Sequence, residues 1–156
     1  MHTRIFFLRF SNKPFELNDF DDYEKHFTVM NYNDNAPLYR KLSHEFIEEF
    51  ELQYPEHKWT DIETKIFAVL FELLKGATCK EPPLGIASSS QSRALYAADI
   101  MLAWKKDGSR TMQPKLLEVN WTPDCQRACQ YYPDFYNDVF GLLFLDEEKD
   151  VFKLLQ

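Results

Sequence analysis

Glycine is scarce in this chain, with four residues among 156. A phosphate cradle of the Walker or Rossmann kind needs several glycines in one loop, so that class of nucleotide site is excluded. A basic surplus is missing as well. Asp and Glu outnumber Lys and Arg by 25 to 18, giving a formal net charge of −7 and a pI near 5.1. Nucleic acid and anionic membrane surfaces attract the opposite sign, so neither is an expected partner. No apolar run approaches the ~20 residues of a membrane span. The opening Met-His-Thr-Arg and the short run Ile5-Phe6-Phe7-Leu8 do not make a secretory leader. Cysteine is sparse and odd in number: Cys79, Cys125 and Cys129 offer no disulfide framework. Cys125 and Cys129 are spaced to share a helix face, but zinc would want two more ligands, and the nearest histidine in sequence, His57, is remote. Reduced thiols in a cytoplasmic protein are the expectation.

What is abundant is aromatic: 14 Phe, 8 Tyr and 3 Trp supply the bulk for a core in a chain long enough to form one domain. Residues 5–10 read as a strand that starts almost at Met1, so the chain is expected to be the later part of something longer. Ser11-Asn12-Lys13-Pro14 reads as a turn, 18–22 as an acidic loop and 26–32 as a second strand, broken by Asn33-Asp34-Asn35-Ala36-Pro37. A helix is expected over 43–54, with Ser43 as its cap and Phe46, Ile47 and Phe50 on one face. The clearest helix covers 61–79, where Thr60 and Glu63 form a capping box ahead of the stripe Ile62, Ile66, Val69, Leu70, Leu73 and Leu74. Glu81-Pro82-Pro83-Leu84-Gly85 ends it, Thr122-Pro123-Asp124 is another capping sequence, and 133–145 reads as a last helix. The order predicts an α+β fold, an antiparallel sheet with packed helices.

Two short apolar strands, 94–102 and 114–120, carry acids and flank an Asp107-Gly108 hairpin signal. Alternation puts Glu118 and Asn120 on one face and Leu117 and Val119 on the other. A four-residue loop over 107–110 would set Asp99 opposite Glu118 on that same face. The acids are expected to share their face with Leu95, Ala97, Met101 and Leu116 rather than with lysines, so that face is not uniformly polar. Facing carboxylates repel unless a cation lies between them or one is protonated. Two carboxylates and a carboxamide oxygen suit Mg²⁺ carried in with a nucleotide's phosphates, although a solvated polar face explains such residues equally simply.

Leu117-Glu118-Val119-Asn120, preceded by Tyr96-Ala97-Ala98-Asp99, resembles the C-terminal part of the tubulin–tyrosine-ligase-like family. Members carry an Asp in a strand reading roughly Gly-x-Asp-x-(Leu/Met), then Leu-(Leu/Ile)-Glu-Val-Asn-x-x-Pro. Asp99 fits the first pattern, and Glu118, Asn120 and Pro123 fit the second. The family's His-Leu-Thr-Asn-Tyr run is similar to His26-Phe27-Thr28 with Asn31-Tyr32, and Leu8-Arg9-Phe10 is similar to the strand just upstream. The resemblance spans nearly the whole chain. Val29 and Met30 interrupt the first run here, and Trp121 replaces a usually small residue.

The resemblance implies an ATP-grasp fold and the ATP- and Mg²⁺-dependent ligation of an amino acid to tubulin or another protein. It implies that Asp99, Glu118 and Asn120 hold Mg²⁺ and ATP, that Arg9 meets a phosphate or carboxylate, and that His26 and Thr28 edge the acceptor side. It also implies that residues 1–156 form a partial domain whose nucleotide-binding upstream half, with its lysines, is the missing partner. A surface ion pair with Asp21 or Asp22 is the plainer expectation for Arg9. Tubulin or microtubules would be the external partner. Two other readings stand beside this one: a non-catalytic ligase-like module acting through nucleotide and protein binding, and a stand-alone aromatic-rich binding domain.

Overall fold

The computed structural model describes residues 2–3, 6–28, 41–121, 123–150 and 152–153. The chain divides into two compact units, one of Met1–Arg4 with His57–Gln156 and one of Ile5–Glu56.

In the larger unit β1 (His2–Thr3) pairs antiparallel with β4 (Phe152–Lys153), and β2 (Ala97–Trp104) pairs antiparallel with β3 (Met112–Asn120). Helix α3 (Trp59–Thr78) packs on β3. Buried Trp59 and Ile62 on the helix and buried Met112 on the strand belong to the core, and Lys65 Nζ donates to the Met112 carbonyl at 3.2 Å. Burial fades along the expected apolar stripe: Ile62 is 2% exposed and Leu74 43%. The helix begins earlier than the sequence suggests. Lys58 is its N-cap, so Thr60 lies inside the first turn and accepts through its carbonyl from Thr64 Oγ1 rather than capping. Burying Trp59 at the first helical position outweighs the capping box that Thr60 and Glu63 offer. After α3, the amides of Leu84 and Gly85 both donate to the Glu81 carbonyl, and Ile86 N–H reaches back to Ala77 O at 2.9 Å.

Helix α4 (Cys125–Tyr131) is capped by Asp124, whose Oδ1 accepts from Arg127 N–H at 2.9 Å, as the capping sequence predicts; Thr122 lies outside the described residues. Helix α5 (Phe135–Phe144) packs against α4 and buries Phe135 and Asp138. The Tyr132 hydroxyl donates to Asp138, whose other oxygen faces Lys149 Nζ at 3.6 Å. The hydrogen bond to Asp138, with desolvation adding, raises the Tyr132 pKa to about 12.

The smaller unit corrects two strand expectations. The described part of 5–10, Phe6 to Phe10, alternates half-buried and exposed as a strand does, yet it joins no ladder among the described residues. Phe6 and Phe10 instead set their rings on Phe46 of α2 (Ser43–Gln53), both at 6.3 Å. Alternation marks an extended chain; a strand also needs a partner's backbone. The second expected strand begins inside a helix. Asp22 caps α1 (Tyr23–His26) by accepting from Glu24 N–H, and Phe27 N–H closes the turn on Tyr23 O. Val29 to Tyr32 and the following breaker lie outside the described residues. In α2 the N-cap is Leu42, whose N–H donates to Glu45 Oε2 at 3.1 Å, so Ser43 sits one place too late to cap.

Candidate metal centre

The β2–β3 hairpin sets Asp99 opposite Glu118, by a route other than the four-residue loop. Trp104 pairs with Met112, and Lys105 N–H donates to Thr111 O at 2.8 Å, which closes an odd loop over 106–110. Gly108 and Arg110 take left-handed backbone angles there, φ 77° and 50°, and Asp107 Oδ1 accepts from Ser109 N–H. Hydrogen bonding from Ser109 holds the Asp107 carboxyl below the usual range. An odd loop by itself would place Leu117 against Asp99. The register instead shifts between Asp99 and Ile100: Ile100 faces Leu116 and Asp99 faces Glu118, so Leu117 is the extra residue of a β-bulge.

The bulge has two chemical consequences. It joins Asp99 and Glu118 in one cross-strand pair, where side chains leave Cβ atoms about 4.5–5.5 Å apart. Asn120, opposite Ala97, lies on the same face and donates its Nδ2 to Glu118 Oε1 at 2.9 Å. All three are exposed. The bulge also changes the company they keep. Leu116 belongs to the opposite face with Ile100, whereas Lys115, paired with Met101, joins the acid face. The expectation that no lysine shares this face is therefore corrected. Lys115 directly precedes Leu116-Leu117-Glu118 in sequence, but only the bulge puts it beside the acids.

The donor set fits a hard divalent cation. Every candidate ligand atom is oxygen, and because the Asn120 amide nitrogen is spent on Glu118, its oxygen is the remaining donor. Among the described residues no three of His, Cys, Asp and Glu gather, so Asn120 or the nucleotide itself must complete any coordination shell. The cysteines form no disulfide.

Arg9, His26 and Thr28 lie in the other compact unit. Arg9 is exposed and makes no ion pair among the described residues, because Lys13 Nζ takes Asp22 at 3.0 Å and Glu24 at 2.7 Å. His26 is held between Phe20, stacked at 5.4 Å, and Phe15, edge-on at 5.3 Å. Its Nε2 lies 2.6 Å from the Asp19 carbonyl, which only accepts, so Nε2 carries the proton. Thr28 is half-buried in the bend after α1.

No helix among the described residues is long and apolar enough to cross a membrane. A family profile described as "Tubulin-tyrosine ligase family" matches residues 1–152. The chain is 57% identical over 145 residues to "Tubulin--tyrosine ligase-like protein 12" of Homo sapiens, covering 92% of this chain and 22% of that protein. The Mus musculus protein of the same name is 55% identical, with 92% and 23% covered. The Caenorhabditis elegans one is 42% identical, with 91% and 21% covered. The chain thus spans about a fifth of the length of the curated relatives it matches. No solved structure matches. With 152 of its 156 residues under one profile, the chain belongs to the tubulin-tyrosine ligase family.

Proposed function

We propose that this chain is the C-terminal, metal-binding part of a longer tubulin–tyrosine ligase-like protein with an ATP-grasp fold. Asp99, Glu118 and Asn120 hold Mg²⁺ against the phosphates of ATP. The observation that carries this is the bulged register that sets two carboxylates face to face with a carboxamide beside them. An all-oxygen array of this kind suits a hard divalent cation. The Mg²⁺ that these residues would hold would supply the charge neutralisation that transfer of a terminal phosphate to a carboxylate, with ADP as the leaving group, requires. Glu118 and Asp99 fix where that charge sits, and Asn120 orients Glu118 through its amide. Arg9, a fixed cation with no acidic partner among the described residues, is suited to an incoming phosphate or carboxylate. His26 and Thr28 stand as the acceptor-side pair; with Nε2–H donated to Asp19, the Nδ1 lone pair is the one that can take a substrate proton. The acceptor is tubulin or another protein.

Val29 and Met30 after Thr28 in sequence, and the bulky Trp121 after Asn120, favour one further reading, a module that binds nucleotide and protein partners without ligating. Titration of Mg-ATP into the longer protein separates the possibilities. Glu118→Gln is expected to weaken Mg-ATP binding about tenfold or more, the scale of one lost charge-assisted ligand; equal affinity in both forms overturns the proposal. Nucleotide binding without amino-acid transfer selects the non-catalytic reading.

A further inference from the structure

The bulge at Leu117 also decides which cation stands beside the two carboxylates. Met112 and Pro114, both buried, lie with Leu116 on the hairpin face toward α3. Lys115, Glu118 and Asn120 lie on the other face with Met101 and Asp99 opposite, and all five are exposed. In a regular strand Lys115 and Glu118, an odd step apart, point to opposite faces; the extra residue brings them to the same one. Lys115 is the one cation in the sequence of either strand. Its partner Met101 is two residues from Asp99, about 7 Å along β2, and its ammonium rides on a flexible four-carbon stem. That ammonium makes no ion pair or hydrogen bond among the described residues. The next cation on the hairpin, Lys105, is farther off by its place in the chain, about 20 Å from Asp99 and well beyond the Debye length of about 8 Å at physiological ionic strength.

We propose that Lys115 makes the Asp99–Glu118–Asn120 site select Mg²⁺ already carrying a nucleoside triphosphate over the bare ion. This rests on the Mg²⁺ reading of those three residues. Two carboxylates and a carboxamide by themselves suit a bare divalent cation. Lys115 cancels one of the two negative charges on that face and, within a Debye length, opposes any added positive charge. The Mg²⁺ complex of a nucleoside triphosphate is an anion, so the same ammonium attracts it and offers N–H donors to phosphate oxygens that the metal leaves uncovered. One side chain thus acts with opposite sign on the two ligands. Specificity is a difference of affinities, and repulsion of the wrong ligand serves it as well as attraction of the right one.

The test is calorimetric titration of the longer protein with Mg²⁺ alone and with Mg-ATP, in the wild type, Lys115→Gln and Glu118→Gln. Lys115→Gln is expected to bind Mg²⁺ about fivefold tighter and Mg-ATP about fivefold weaker, the scale of one unit charge at that spacing in a water-exposed site. Glu118→Gln is expected to weaken both. Lys115→Arg keeps the charge and is expected to keep the wild-type order of affinities, which a purely steric role for the side chain would not do. If Glu118→Gln weakens both ligands while Lys115→Gln changes neither, or moves both in the same direction, the role of Lys115 is overturned and the Mg²⁺ site stands. If Glu118→Gln changes neither, the site itself is overturned and the role of Lys115 with it.

Discussion

The acids ahead of α1 in one unit and those of the β2–β3 hairpin in the other live under opposite regimes. In the segment before α1 they are matched by lysines: Lys13 bridges Asp22 and Glu24, and Lys25 bridges Glu16 and Asp19 at 2.8 and 3.0 Å. Hydrogen bonding from Lys13 lowers the pKa values of Asp22 and Glu24, and those carboxylates raise that of Lys13. On the hairpin, Glu118 faces Asp99 and takes an amide N–H from Asn120. The first arrangement is complete within the chain and serves to fold a loop that has little core of its own, with Phe15, Leu17 and Phe20 each at least 65% exposed. The second sets two carboxylates opposite each other on an exposed face that Lys115 shares.

Four substitutions sharpen that contrast. The largest effect falls on Asp138, the one buried acid among the described residues, which is matched on both sides by Tyr132 and Lys149. Asp138→Ala is expected to cost about 3 kcal/mol in chemical denaturation, the scale of a broken buried pair; a loss near zero would show that α5 is held by its apolar face alone. Next is the alkaline limb. The folded pKa of Tyr132 is raised from 10.0 to about 12, so its contribution is fully present below pH 10 and is lost as pH rises from 10 to 12. Tyr132→Phe should flatten that part of the profile, and parallel wild-type and variant curves would contradict it. Glu118→Gln reverses the sign: relief of cross-strand repulsion should stabilise the metal-free chain by about 0.5 kcal/mol, measured as a small rise in Tm. A clear fall in Tm would place Glu118 among the structural acids. Smallest is Lys13→Met. The depressed Asp22 and Glu24 pKa values stabilise the fold above their ordinary values of 3.8 and 4.5, and this is lost as pH falls through the folded ones. The variant should lose that contribution at neutral pH and converge on the wild type as pH falls through the folded values, and equal stability of the two at neutral pH would contradict it.

The helices and the hairpin were legible because their patterns are local. The stripe from Ile62 to Leu74, the Asp124 cap and the Asp107-Gly108 turn each declare themselves within a few residues. The errors came where distant groups decide. Nothing near Thr60 announces that Trp59 will be buried and pull the helix start forward. Phe6 to Phe10 carries a strand's alternation but packs on a helix. The pairing of Asp99 with Glu118 was reached by assuming an even loop, whereas the chain uses an odd loop and a compensating bulge at Leu117. Two offsets of one residue cancel in the register but not in the neighbours, which is why Lys115 was missed and Leu116 misplaced. The motif fixes where the acids lie along the chain, and the bulge at Leu117 decides which side chains surround them.

The central claim is that Asp99, Glu118 and Asn120 act together on a divalent cation. Its most direct test is a Mg²⁺ titration of the chain monitored at the backbone amide resonances of these three residues. The account predicts that all three shift along one saturation curve in the wild type and stay still in Glu118→Gln. Resonances unmoved by Mg²⁺, or shifting alike in wild type and variant, would contradict it.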